Sequence, residues 1–76
     1  MDDQCVKTLK RLAERIKTGK TDYPTSGETQ IECIRRLKRE GFISFTRENK
    51  YQNGKTNFYR LSITEAGELE LESLET

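Results

Sequence analysis

The sequence has no histidine, only two cysteines and no long apolar run among its 76 residues. Without histidine the usual general base at neutral pH is missing, and a tetrahedral zinc site would need carboxylates. We therefore expect no catalysis, no cofactor and no metal. The ~20 apolar residues of a membrane span are missing, and residues 1–4 are acidic, unlike a signal peptide. These features predict a cytoplasmic protein without a membrane partner.

The two cysteines are predicted to be free thiols. Cys33 lies on the apolar face of a predicted helix, where cysteine behaves as a small core residue. Cys5 lies in the first turn of another helix, with no base near it in sequence. Disulfides are rare in the cytosol, so we expect no bond between them.

The net charge of +1 conceals a strong gradient along the chain. Residues 1–43 carry +3, residues 44–61 carry a further +3, and residues 62–76 carry −5. Such asymmetry favours a polyanion on one face of the molecule, although it also fits an ordinary solvated surface.

Two amphipathic helices are predicted in the first half of the chain. Apolar residues from Val6 to Ile16 recur at offsets of three and four, which predicts a helix over residues 3–18 that ends before Gly19. A second helix is predicted over residues 25–40, with Thr25 as its N-cap and Glu28 completing a capping box. The intervening residues 20–24 are interpreted as a loop.

A β-hairpin is predicted to follow, with strands at residues 43–51 and 56–63. The loop Gln52-Asn53-Gly54 pairs Tyr51 with Lys55 and Ile43 with Ile63, which gives a consistent apolar face. Gly54 supplies the left-handed residue that this three-residue loop needs.

A short helix capped by Thr64 is predicted to end a single domain spanning residues 1–76. We expect a core that joins both long helices, the hairpin and this last helix. Its predicted members are Leu9, Leu12, Ile16, Ile34, Leu37, Phe45, Leu61 and Leu71.

Two stretches of this chain resemble a known family. The stretch IRRLKREGFI, residues 34–43, looks like the end of a recognition helix entering a wing. The stretch YRLSITEAGEL, residues 59–69, is similar to the second wing strand and following helix of small bacterial and phage-type winged helix-turn-helix regulators.

The resemblance covers roughly residues 31–74 and implies an α+β winged helix. Its parts would be an N-terminal helix, a recognition-type helix, a two-stranded hairpin wing and a short C-terminal helix. The five residues between Gly19 and Thr25 cannot hold the middle helix of such regulators, so that helix is shortened or absent.

The resemblance implies a small transcriptional regulator that binds double-stranded DNA. The recognition-type helix would contact bases or phosphates, and the basic hairpin would lie along the backbone. The candidate DNA-binding residues are Thr29, Arg35, Arg36 and Arg39 on the helix, and Arg47, Lys50, Lys55 and Arg60 on the hairpin. Alternatively, Arg36 only pairs with Glu32, and the lysines only protect an edge strand from pairing.

A second hypothesis is a winged-helix module for protein–protein interaction or homodimerisation without DNA. Ala66 and Leu69 fall on a different face of the last helix from Gly67, Leu71 and Leu74. In the regulators that the chain resembles, this terminal helix is the usual dimerising element.

Overall fold

The computed structural model describes residues 2–75 and is a small α+β domain of helices and antiparallel sheets. A three-stranded sheet has the order β1-β4-β3, and a two-stranded sheet pairs β2 with β5. The elements, in chain order, are α1 (Asp3–Lys17), β1 (Tyr23–Thr25), α2 (Glu28–Arg39), β2 (Ile43–Ser44), β3 (Arg47–Lys50), β4 (Thr56–Tyr59), β5 (Ser62–Ile63) and α3 (Glu65–Glu75).

Helix α1 forms where the apolar spacing predicts it. The Asp2 carboxylate accepts a hydrogen bond from the Gln4 backbone N–H at 2.8 Å and so caps the first turn. The helix ends at Lys17, and Gly19 follows with a φ of +88°. The predicted helix is therefore confirmed to within one residue.

The predicted start of the second helix is wrong. Thr25 is buried in β1, where its hydroxyl donates to Gln30 Oε1 at 2.6 Å and accepts the Gly27 N–H at 3.2 Å. Helix α2 begins only at Glu28, after Gly27 as N-cap. Pairing of Tyr23–Thr25 with β4 prevails over the capping box because it buries both Tyr23 and Thr25.

The predicted hairpin register is confirmed at both ends. Ile43 lies opposite Ile63, and the Tyr51 N–H donates to the Lys55 carbonyl oxygen at 2.7 Å. Gly54 closes the loop with a φ of +84°, the left-handed conformation that glycine adopts without strain.

The predicted continuous strands are each broken in two. Arg60 adopts a φ of +54°, and the next N–H, from Leu61, donates to the Thr21 carbonyl oxygen at 2.7 Å. This left-handed residue changes which alternate side chains face the core. Leu61 is buried beyond the break and Phe58 is buried before it, although uninterrupted alternation would place them on opposite faces.

Six of the eight predicted core residues are buried, whereas Ile16 and Leu71 are only partly buried against the core. Phe58 and Tyr23 are buried and were not predicted. The ring of Phe58 packs edge-on against Phe45, with ring centroids 5.0 Å apart. The break at Arg60 and the unrecognised strand β1 explain why sequence periodicity missed these two aromatic residues.

The turn after α2 packs closely against the start of α3. The Thr64 N–H donates to the Phe42 carbonyl oxygen at 3.1 Å, and the Thr64 hydroxyl donates to the Gly41 carbonyl oxygen at 2.5 Å. The same hydroxyl accepts the Gly67 N–H at 3.1 Å, which confirms Thr64 as the cap of α3. A Cβ on Gly67 would lie 2.0 Å from the Phe42 oxygen, so this contact requires glycine.

The prediction of free cysteines is wrong, because Cys5 and Cys33 form a disulfide with Cα atoms 5.0 Å apart. The bond joins the first turn of α1 to the middle of α2, and both residues are buried. Both cysteines lie at the edges of helix faces that pack together, which periodicity within one helix does not reveal. None of the described helices is long and apolar enough to cross a membrane.

Candidate nucleic-acid interface

The exposed side of α2 carries the predicted helix residues. The opposite side is fully buried through Ile34 and Leu37, so the helix presents a polar arc to solvent. The exposed candidates on this arc are Thr29, Arg35, Arg36 and Arg39. Glu28 and Glu32 share the arc, so its charge is mixed.

Arg35 is held by the hairpin rather than left free. Its Nε donates to the two carboxylate oxygens of Glu48 at 3.0 and 3.2 Å, and its Nη2 forms a further close contact with the same carboxylate. The hydrogen bond lowers the pKa of Glu48 and raises that of Arg35, while partial burial opposes both shifts. The pair links α2 to β3, with a stabilisation of about 0.2–1 kcal/mol for so exposed a contact.

Arg36 and Arg39 remain without a salt bridge among the residues that the structure describes. The alternative interpretation, in which Arg36 pairs with Glu32, therefore does not hold in this structure. Both arginines border a depression of about 310 Å³ whose other walls include Thr29, Asp2 and the disulfide. These two guanidinium groups are the free cations of the helix arc.

The contact between α2 and the hairpin holds a further cation that sequence analysis did not single out. The Lys38 ammonium lies 4.2 Å from the centroid of the Phe45 ring. Its charge also helps to lower the pKa of Glu48, after the larger effect of Arg35. Lys38 follows the buried Leu37 directly, and this proximity to the apolar face was the available sequence signal.

The structure does not bring the four hairpin cations onto one surface. Arg47 lies opposite Tyr59 and Lys50 lies opposite Thr56, so the alternation of β3 places Arg47 and Lys50 on different faces. Lys55 lies opposite Tyr51, on the same face as Arg47. Arg60 lies exposed at the left-handed break.

The face of the three-stranded sheet that bears Arg47 is here termed the outer face. It is turned away from α2, because Glu48, on the opposite face, contacts Arg35. The register places six hairpin residues on it, Arg47, Asn49, Tyr51, Lys55, Asn57 and Tyr59. Two of the six are cationic, two are tyrosines, two carry amides and none is acidic.

The aromatic groups of the outer face form one connected cluster. The hydroxyl oxygens of Tyr51 and Tyr59 are 2.6 Å apart, and the Arg47 guanidinium lies 4.7 Å from the centroid of the Tyr59 ring. The hydrogen bond with Tyr51 lowers the pKa of Tyr59. Partial burial opposes this shift, and Asn57, Arg47 and Asn49 lower the pKa further. Tyr51 is 43% exposed.

Asn57, on the outer face, carries a buried acceptor without a partner among the described residues. Its Oδ1 atom is buried and accepts no hydrogen bond from the residues that the structure describes. An unsatisfied buried acceptor costs about 1–3 kcal/mol, so such atoms are rare without a reason. The predicted register already paired Tyr51 with Lys55. Because every second residue of a strand lies on the same face, that pair was enough to predict which hairpin residues share the outer face.

The last helix leaves its predicted contact residues open. Ala66 is exposed and Leu69 is 61% exposed. Beside them, α1 and α3 border a groove of about 820 Å³ with an apolar floor that includes Ile16, Ile63 and Leu71. The α1 side of the groove is mainly basic and the α3 side is acidic.

No group of three or more metal-ligating side chains occurs within residues 2–75. Comparison of the chain with protein families, with curated proteins and with solved structures found no match. The exposed arc of α2 and the outer face of the sheet are therefore the two candidate nucleic-acid-binding surfaces.

Proposed function

We propose that this domain binds double-stranded DNA as a small winged-helix transcriptional regulator. Helix α2 would enter the major groove, with Thr29, Arg36 and Arg39 towards the bases and phosphates. Bidentate contact of arginine with guanine is the commonest specific interaction there. The order of a helix, a recognition-type helix, a hairpin and a terminal helix supports this proposal.

The observation that carries the proposal is the state of Arg36 and Arg39. Both are exposed on one arc of a well-packed helix, and neither has an ion-pair partner within the described residues. An arginine without a binding role usually stabilises its helix by pairing with a carboxylate four residues away. Glu32 lies at that spacing from Arg36. Free guanidinium groups on a rigid element suit phosphate and base contacts instead.

The connection between α2 and the hairpin adds to this support. The Arg35–Glu48 pair fixes β3 beside the helix, and Lys50 lies on the α2-facing side of the same strand. A duplex seated on α2 would therefore meet Lys50 before it meets Arg47 on the outer face. Glu28 and Glu32 oppose phosphate, which predicts modest affinity at physiological salt.

A salt titration tests the proposal most directly. Binding of a fluorescein-labelled random-sequence duplex is measured by anisotropy at several salt concentrations. The double variant Arg36→Gln/Arg39→Gln should flatten the slope of log K against log salt by roughly two, since each lost phosphate contact removes ~0.9. The matched control Lys10→Gln/Arg11→Gln removes the same charge from the groove between α1 and α3, and should leave the slope within about 0.5 of the parent. The proposal fails if the parent does not bind duplex at low salt, or if both pairs change the slope equally.

The alternative function is protein–protein contact through α3, including homodimerisation. It is favoured by the exposure of Leu69 beside Ala66 on a helix with no basic residue, next to the basic side of α1. Sedimentation equilibrium of the parent and of Leu69→Glu tests it. A dimer that the substitution disrupts supports this function, and a monomer at high concentration excludes homodimerisation.

A further inference from the structure

We propose that the outer face of the sheet is a second nucleic-acid site, which binds unpaired bases of a single strand. The site rests on the proposed function only in assigning the domain a nucleic-acid partner. It occupies a different surface from the duplex-binding arc of α2, because the outer face is turned away from that helix.

The outer face offers surfaces on which bases can stack. Single-stranded nucleic acids bind proteins largely through bases that stack on aromatic rings or on guanidinium planes. The Arg47 guanidinium lies over one face of the Tyr59 ring, and its other side is open to solvent. Tyr51 is the more exposed aromatic residue of the cluster and is held to Tyr59 by the hydroxyl–hydroxyl hydrogen bond. The face thus offers two adjacent planar surfaces in fixed positions.

The charge of the outer face also suits a nucleic-acid strand. Arg47 and Lys55 lie towards opposite ends of the face, and none of the six side chains between the two strand ends is acidic. This contrasts with the α2 arc, where two glutamates share the surface with the arginines. A phosphate backbone crossing the face would meet a cation near each end and no repulsive carboxylate among these residues.

The outer face also supplies polar groups for base edges. Asn49 lies directly opposite Asn57 in the centre of the face. Amide side chains both donate and accept, which suits the exposed edges of unpaired bases. A duplex cannot exploit these groups, because its base edges and base planes are enclosed by pairing and stacking.

The hairpin tip lets the strand enter. Residues 51–55 lie beyond the last residue pair of the sheet, Lys50 with Thr56, and are exposed. The outer face is therefore open at the hairpin tip, so a flexible strand can extend past it. These features together commit the site to single-stranded DNA or RNA rather than to a folded protein.

The experiment measures affinity for a labelled twelve-nucleotide oligo(dT), for oligo(U) of the same length and for a random-sequence duplex. The variant Tyr51→Ala should weaken binding of the single strand by about 5- to 150-fold, which is the usual cost of losing one stacked base. Tyr51→Phe keeps the ring but loses the hydrogen bond that positions it, so it should weaken binding less than Tyr51→Ala does. Because Tyr51 is half exposed, both variants should fold, and circular dichroism checks this.

A matched pair of charge variants separates the two surfaces. Arg47→Ala and Lys50→Ala each remove one cation from the same strand, on opposite faces. We expect Arg47→Ala to weaken single-strand binding and leave the duplex unaffected, and Lys50→Ala to do the reverse. Loss of single-strand binding only in Arg36→Gln/Arg39→Gln would overturn this second site and leave the duplex proposal standing. Absence of oligo(dT) and oligo(U) binding at low salt would also overturn it. Single-strand binding with no duplex binding would instead reject the duplex proposal and retain this site.

Discussion

The contact between Gly67 and the Phe42 carbonyl gives the sharpest test of the fold. In Gly67→Ala, the new Cβ would lie 2.0 Å from the Phe42 oxygen and 2.9 Å from Ile63 Cγ2. The near neighbour is backbone, which cannot rotate away as a flexible side chain would. Helix α3 therefore has to move by more than 1 Å from the turn after α2, or that turn has to move.

Either movement disrupts the hydrogen bonds that join the two segments. Thr64 donates one bond from its backbone to Phe42 and one from its hydroxyl to Gly41. Each contributes about 0.5–1.5 kcal/mol, and the overpacking itself costs about 1–3 kcal/mol. Alanine recovers about 1 kcal/mol through its higher helix propensity. The expected net loss is about 2–4 kcal/mol, out of the ~4–11 kcal/mol typical of a domain of this size.

Thermal denaturation followed by circular dichroism measures this loss. A domain of this size loses about 4–8 °C in Tm for each kcal/mol, so we expect Tm to fall by roughly 10–25 °C. Leu69→Ala is the matched control, since it lies on the same helix but its side chain is mostly exposed, and it should change stability by less than about 0.5 kcal/mol. A Tm for Gly67→Ala at or above that of the parent would refute the packing of α3 described above.

Three further predictions concern the core, the disulfide and the tyrosine pair. Leu37→Ala should destabilise the domain by about 2–5 kcal/mol, because the side chain is fully buried, and a parent-like urea midpoint would contradict this. Thiol titration of the unreduced, denatured chain should find no free thiol. Reduction should lower the free energy of unfolding by about 3–4 kcal/mol, because the bond spans 28 residues. The stability of a Cys5→Ser/Cys33→Ser chain should not respond to reductant. Absorbance titration at alkaline pH should show Tyr59 ionising below its ordinary pKa of 10.0, because Tyr51 hydrogen-bonds to it. Tyr51→Phe should raise that pKa, and an unchanged pKa of Tyr59 in this variant would show that the hydroxyl pair does not form in solution.

Local patterns predicted most of the helices and the hairpin register. The spacing of apolar residues in α1 and the left-handed Gly54 are properties of short stretches, so the sequence alone was enough to find them. The predicted cap at Thr25 failed because a tertiary contact, the pairing of β1 with β4, outweighs a local motif. Sequence periodicity could not reveal that contact, since its two strands are more than thirty residues apart.

The candidate site was likewise only partly predictable from the sequence. The exposed arc of α2 follows from helical geometry, so its residues were predictable as a group. The engagement of Arg35 by Glu48 was not predictable, because it depends on how the hairpin packs beside the helix. The prediction of free cysteines failed for a similar reason, because the disulfide depends on how α1 packs against α2. The prediction of free thiols relied on a cytoplasmic location, which itself stays a prediction.

Arg60 is exposed at the left-handed break, yet the chain should not tolerate a change in length there. Exposed irregular positions normally accept inserted or deleted residues with little effect on stability. Inserting one residue beside this break, with Arg60 still left-handed, would instead reverse the inward direction of either Phe58 or Leu61, both of which are buried. The tip loop at residues 52–54 carries no such constraint, because no buried residue lies beyond Thr56 on that side. Variation in hairpin length should therefore accumulate at the tip, whereas the residue count between Phe58 and Leu61 should stay constant.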